Sequence, residues 1–269
     1  FRDYGIWSDE TFQRFSGFYW LNYVLSFTSF DELKNIIAFK IDQIGDSTLG
    51  HPKYYPYYGV IFDLPAAFLE LIFQIEDSKN YFYLRHFLNF TFFFIGSIFF
   101  YKLLLNRFSN NNIALVGTLF FVLSPRIYGN SFYNNKDVVF LSLITIALYY
   151  SFKALDKPSY KNLLIFSIFA ALSTAHRILG ILLPVSFMTF YLLSVLSNHK
   201  NLNNLFGMVF FCVFYFIFLI LLWPALWSSP IENFILAFSW FSSQILEITM
   251  LFDGKYVHTN FLPYNYIFT

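Results

Sequence analysis

The chain has 269 residues, 57% of them hydrophobic and only 12% charged, with a formal net charge of +1. An ordinary soluble domain carries about 25% charged residues. A net charge this small excludes a bulk electrostatic case for nucleic acid, and the single cysteine, Cys212, excludes an internal disulfide or a cysteine metal cluster.

The charges that remain are confined to short segments. Residues 87–101, 108–125, 138–152, 162–175, 178–198 and 201–231 contain no Asp, Glu, Lys or Arg. Water does not demand such runs. A bilayer does, because a charged side chain at its centre costs several kcal/mol or more. The forty phenylalanines and twenty tyrosines are read as composition tolerated by lipid, not as stacking platforms. Both ends, Phe1 and Thr269, read as cut, so the chain is expected to be a fragment of a longer protein.

Taken in order, residues 1–85 form an outer loop with interfacial helices. Trp7-Ser8-Asp9-Glu10 precedes an amphipathic stretch over 12–23, and His51-Pro52-Lys53-Tyr54-Tyr55-Pro56 makes a rigid, aromatic-flanked turn. Residues 57–77 are apolar but contain Asp63, Pro65 and Glu70, which suits a helix lying in the interface better than one crossing the membrane. Six spans follow, at 86–106, 112–128, 138–155, 161–177, 179–197 and 205–223, close to the roughly 20 residues needed to cross ~30 Å of hydrocarbon. Residues 224–269 form a further outer segment. The expected fold is all-α, a polytopic transmembrane helix bundle forming one domain over 1–269. No transporter-type internal repeat is visible.

The connections alternate. Lys102 with Arg107, then Lys153, Lys157 and Lys161, then His199 with Lys200 form one set, with Asp156 its only acid. Short loops rich in Lys and Arg stay cytoplasmic. Residues 1–85, the Arg126–Asp137 turn, Arg177 and everything after Trp223 therefore face outward, and a multi-pass protein of a bacterial inner or plasma membrane is expected.

The outer set holds Asp9, Glu10, His51, Lys53, Arg126, Lys136, Asp137, His176 and Arg177. A snorkelling or loop charge accounts for any one of them. Acids and bases from four segments sharing one membrane surface argue for a site. Asp9 or Glu10 can serve as a general base towards a hydroxyl. Lys53 lies where an interfacial helix begins, a place to meet a lipid phosphate, and Arg177 suits bidentate phosphate binding. Asp9, Glu10 and His51 are compatible with a divalent metal, but none is assigned, nor any other cofactor. A multi-span transporter or lipid flippase is the alternative; it would place its polar residues at the membrane midplane.

These segments resemble the C-type membrane glycosyltransferases, in the branch of protein O-mannosyltransferases and aminoarabinose transferases, family 39. The resemblance runs through Trp-Ser-Asp-Glu (7–10), His-Pro-Lys-Tyr-Tyr (51–55), Leu84-Arg85-His86 and Ser124 to Asp137. It continues through Ala-His-Arg-Ile-Leu-Gly (175–180), Trp-Pro-Ala-Leu-Trp-Ser-Ser-Pro (223–230) and Leu-Pro-Tyr-Asn-Tyr (262–266). The family's two prolines after the Lys-bearing turn are not matched here. The resemblance implies sugar transfer from a polyprenyl-phosphate donor to a protein, lipid or glycan hydroxyl on the outer side of the membrane. It casts Asp9 as the base with Glu10 beside it, and Asp137 as a second outer acid. Lys53, Arg126 and Arg177, with His51 and Lys136, would face the donor phosphate. A further span before Phe1 and more of the bundle after Thr269 are expected on the same ground.

Overall fold

Three polar side chains set where helices begin. Asn110 accepts from the Asn112 and Ile113 amides at 2.9 and 3.2 Å, Asn134 from the Asp137 amide at 3.1 Å, and Ser159 from the Asn162 amide at 3.3 Å. Each satisfies a first-turn N–H that has no partner within its helix. The computed structural model describes residues 5–7, 9–45, 57, 59–197, 202–243, 249–264 and 266. Its helices are α1 (Glu10–Leu25), α2 (Asp31–Gly45), α3 (Asp63–Ile72), α4 (Ser78–Phe108), α5 (Asn111–Leu123), α6 (Pro125–Asn130), α7 (Asn135–Asp156), α8 (Tyr160–His176), α9 (Leu182–Ser197), α10 (Leu202–Leu222) and α11 (Pro230–Ser243). A left-handed Ser109, φ 51°, closes α4, and Pro125 opens α6.

Helices occupy all six segments expected to span. Among the described residues three helices are long and apolar enough to cross a membrane: Ser78–Phe108, Asn135–Asp156 and Leu205–Leu222. The 13 residues of α5 extend only about 20 Å at 1.5 Å per residue. The 10 residues of α3 reach about 15 Å, too short to cross the hydrocarbon.

α4 and α7 run parallel, with Asn89 against Ser131, Gly96 against Ser142 and Phe99 against Tyr149. The Gly96 contact leaves no room for a side chain, since a Cβ there would lie 2.8 Å from that of Ser142. α8 and α10 are parallel too: Ser167 Oγ donates to the Phe211 carbonyl at 3.3 Å and Tyr215 Oη to Thr174 Oγ1 at 3.0 Å. Alanines 170, 171 and 175 are fully buried along α8, as small residues at helix interfaces in lipid let backbones approach. Phe166 stacks on Phe211 at 4.8 Å, and Phe187 closes the trio at 4.6 and 5.0 Å.

These directions bring the start of α4, the end of α5, the start of α7 and the ends of α8 and α10 to one end of the bundle. Lys102, Arg107, Lys153, Lys157 and Lys161 fall at the other. The charge alternation along the sequence thus marks two real ends. After α11 comes an antiparallel hairpin, β1 (Thr249–Phe252) and β2 (Lys255–His258), in the register Thr249 to His258 and Phe252 to Lys255. Asp253 and Gly254, at φ 47° and 73°, supply the two left-handed positions that a two-residue hairpin turn needs. The hairpin adds the strands that an all-α expectation omits.

Candidate active site

Asp9 and Glu10 part company at the first turn of α1. Neighbours on a helix are about 100° apart and cannot face the same way. The Asp9 carboxylate meets Lys136 Nζ at 2.9 Å. Glu10 turns inward, 1% exposed, accepts the Trp7 amide at 2.9 Å and lies 3.1 and 3.2 Å from His86 Nε2. The two acids, either of which could serve as the base by sequence, therefore have different surroundings. Asp9 stands beside a cavity, and Glu10 holds α1 onto α4.

The acids of 57–77 have internal partners as well. Asp63 pairs with Arg85, both buried, and accepts from Asn135 Nδ2 at 3.3 Å. Burial pushes the Asp63 carboxyl above its ordinary range, and the Arg85 guanidinium pulls the other way. Glu70 takes Arg14 through two bonds, 2.6 and 3.0 Å, with Lys40 at 3.5 Å and the Arg14 guanidinium 3.7 Å from the Tyr81 ring centre. Asp63 and Glu70 are thus explained by buried ion pairs that join α3 to α4 and to α1.

A cavity of about 440 Å³ opens at this end of the bundle, within the size range of small-molecule sites. Its walls are Phe12, Gln13 and Ser16 of α1, Gly59 and Asp63, Asn135 and Lys136 at the start of α7, residues 175–179 at the end of α8, Trp223, and Phe238, Phe241 and Ser242 of α11. Gly59 is required: a Cβ there would lie 1.3 Å from the Ala175 carbonyl oxygen. His176 Nε2 lies 3.2 and 3.1 Å from the Asn135 and Lys136 carbonyls. Only a protonated nitrogen suits two carbonyl acceptors, so it donates, ties α8 to α7 and fixes the backbone that carries Lys136.

Two cations line the cavity, Lys136 and Arg177. Each has a carboxylate beside it, Asp9 for Lys136 at 2.9 Å and Asp137 for Arg177 at 2.7 Å. Four of the residues expected to act together are thereby assembled from α1, α7 and α8. Arg126 is exposed on α6 and is not among the lining residues. The end of its helix does touch the Asp137 turn, since Asn134 Nδ2 donates to Asn130 Oδ1 and Asp137 Oδ2, both at 2.9 Å. His51 and Lys53 lie outside the described residues. Among the described residues no group of three or more His, Cys, Asp or Glu side chains could hold a metal ion, and Asp9 and Glu10 point apart.

Sequence reasoning gave no site role to Gln13, Ser16 or Trp223, although Trp223 opens one of the segments that carry the resemblance. All three line the cavity, and each has a buried N or O atom with no hydrogen-bond partner among the described residues, as do Asn135 Oδ1 and His176 Nδ1. Such an atom costs about 1–3 kcal/mol when left unmet. Gln13 and Ser16 sit three apart on α1, a spacing that places those two on one face. Nothing local set them apart from other polar residues of an amphipathic helix.

A family model, dolichyl-phosphate-mannose-protein mannosyltransferase, matches residues 64–227. The matched region carries Arg85, Arg126, Lys136, Asp137 and Arg177 and stops short of Asp9, Glu10, His51 and Lys53. No curated protein and no solved structure matches the chain.

Proposed function

The chain belongs to the dolichyl-phosphate-mannose-protein mannosyltransferase family, a family of membrane glycosyltransferases, and from that premise we propose that it moves a sugar from a polyprenyl-phosphate donor to a hydroxyl acceptor at the cavity between α1, α7 and α8, on the outer side of the membrane. The observation that carries this reading is the pairing of two cavity-lining cations with two carboxylates, Asp9 beside Lys136 and Asp137 beside Arg177.

The chemistry follows from those charges. The acceptor hydroxyl loses its proton to an Asp9 carboxylate oxygen as its own oxygen bonds to the anomeric carbon. The bond from that carbon to the phosphate oxygen breaks, and its electron pair leaves with the polyprenyl phosphate. Charge growing on the leaving oxygens meets Lys136 and Arg177, cations already in place and partly shielded from water, where they count for more than in bulk solvent. A single displacement of this kind inverts the anomeric centre. The phosphate competes with Asp9 for Lys136 and with Asp137 for Arg177, so donor arrival loosens the contact that occupies the base. Glu10 supports Asp9 through the Trp7 amide and His86. Lys53, His51 and Arg126 remain proposed phosphate contacts on the resemblance.

The test is transfer from labelled polyprenyl-phosphate sugars in vesicles carrying the complete protein. Asp9→Asn keeps the size of the side chain but cannot take the proton, and loss of a general base typically costs about 10²- to 10⁴-fold. Full activity of Asp9→Asn would remove Asp9 from the mechanism. Solute flux with no turnover of any such donor would favour a transporter.

A further inference from the structure

We propose that Gln13 and Ser16 of α1, with Trp223 just past α10, read the hydroxyl groups of the transferred sugar, and that Gln13 is a specificity-determining residue. This rests on the glycosyl-transfer reading of the same cavity and assigns roles that neither the charges nor the resemblance supplies.

Three observations converge. The three residues line one cavity. They are deeply buried, at 2% exposure for Gln13 and Ser16 and 1% for Trp223. Both amide atoms of Gln13, Ser16 Oγ and Trp223 Nε1 have no hydrogen-bond partner among the described residues. Nearly all buried polar atoms in proteins find a partner, so a cluster of exceptions beside one cavity calls for a reason.

The chemistry of the set selects the ligand. An amide offers two donors and an acceptor, a hydroxyl offers both roles, and an indole donates only. Asn135 Oδ1 and His176 Nδ1 add two acceptors on the same cavity. All are neutral and of mixed polarity, which matches a ring bearing several hydroxyls. A phosphate or carboxylate would favour positive charge, which on this cavity is carried by Lys136 and Arg177 and not by this set. Ser16 is three residues from Gln13 and four from Phe12, so it neighbours both on α1, and all three side chains line the cavity. The Gln13 amide is covered by its neighbours, and turning it towards a sugar breaks no hydrogen bond in this structure.

The experiment compares donors in vesicles carrying the complete protein. The probes are polyprenyl-phosphate mannose and glucose, the derivatives of each lacking one hydroxyl at a single ring position, and sugar-free polyprenyl phosphate as a binding control. The unaltered protein should prefer one parent donor over at least one such derivative by about tenfold in kcat/KM, the scale of one buried hydrogen bond. Gln13→Leu should reduce that ratio below about threefold at one ring position and leave sugar-free polyprenyl phosphate binding within about twofold. Ser16→Ala removes a single oxygen and should flatten the ratio at a second position; it serves if Gln13→Leu does not accumulate. Unchanged discrimination at every position in either accumulated variant, or equal loss of sugar-free polyprenyl phosphate binding, refutes the sugar-reading role while leaving glycosyl transfer intact. An unaltered protein that transfers neither from these donors nor from any other labelled polyprenyl-phosphate sugar refutes the glycosyl-transfer reading, and this inference with it.

Discussion

Removing the Glu70 carboxylate should unseat α1 from α3. Arg14 and Glu70 make two short bonds across the pair, at 2.6 and 3.0 Å, with side-chain exposures of 11% and 2%. Glu70→Leu keeps the bulk of the side chain and leaves a guanidinium with no carboxylate. Breaking a buried pair from one side costs about 3–5 kcal/mol. Arg14 lies 3.7 Å from the Tyr81 ring centre, a contact present before and after the change that keeps the stranded guanidinium in place, so the low end of that range is expected. That is a loss of about 3 kcal/mol. For a chain of this length that lowers the melting temperature by about 6–12 °C, readable as thermal loss of the monodisperse peak in detergent. Arg14→Met with Glu70→Leu should restore at least half of the loss, since neither partner is then a desolvated charge. Lys40, whose ammonium also reaches the Ile75 carbonyl at 3.4 Å, keeps that contact in the double variant. A double variant less stable than Glu70→Leu would refute the assignment of this pair as a desolvated structural contact.

Other expectations rest on separate features. Gly59→Ala should destabilise by about 1–3 kcal/mol or more, seen in the same thermal assay, because its Cβ would meet the Ala175 carbonyl oxygen at 1.3 Å and push the 59–63 segment off the end of α8. Arg177→Ala should raise KM for a polyprenyl-phosphate donor more than Arg126→Ala does, since Arg177 lines the cavity and Arg126 does not; equal effects in a donor titration would bring Arg126 to the phosphate. With Cys212 replaced, a cysteine at Asn130 should react with an impermeant reagent from outside and one at Ser159 should not. The opposite pattern reverses the orientation drawn from Lys153, Lys157 and Lys161.

The sequence by itself determined the helical bundle and its two ends. Uncharged runs, capping residues such as Asn110 and Ser159, and the alternation of basic and mixed connections all act within a few residues of themselves, so they can be read along the chain. It also marked Asp63 and Glu70 as anomalous in an apolar stretch, without saying what would answer them. Only the tertiary structure decided the partners. Lys136 meets Asp9 across 127 residues, His86 meets Glu10 across 76, and Glu70 meets Arg14 across 56. No local pattern encodes pairings at such separations. For the same reason Asp9 and Glu10 look equivalent in sequence and are not: one helical step sends the first to a lysine at the cavity and the second to a histidine in the core. The grouping of Gln13, Ser16 and Trp223 is likewise a product of packing, because a polar side chain is left without a partner only by what surrounds it in space.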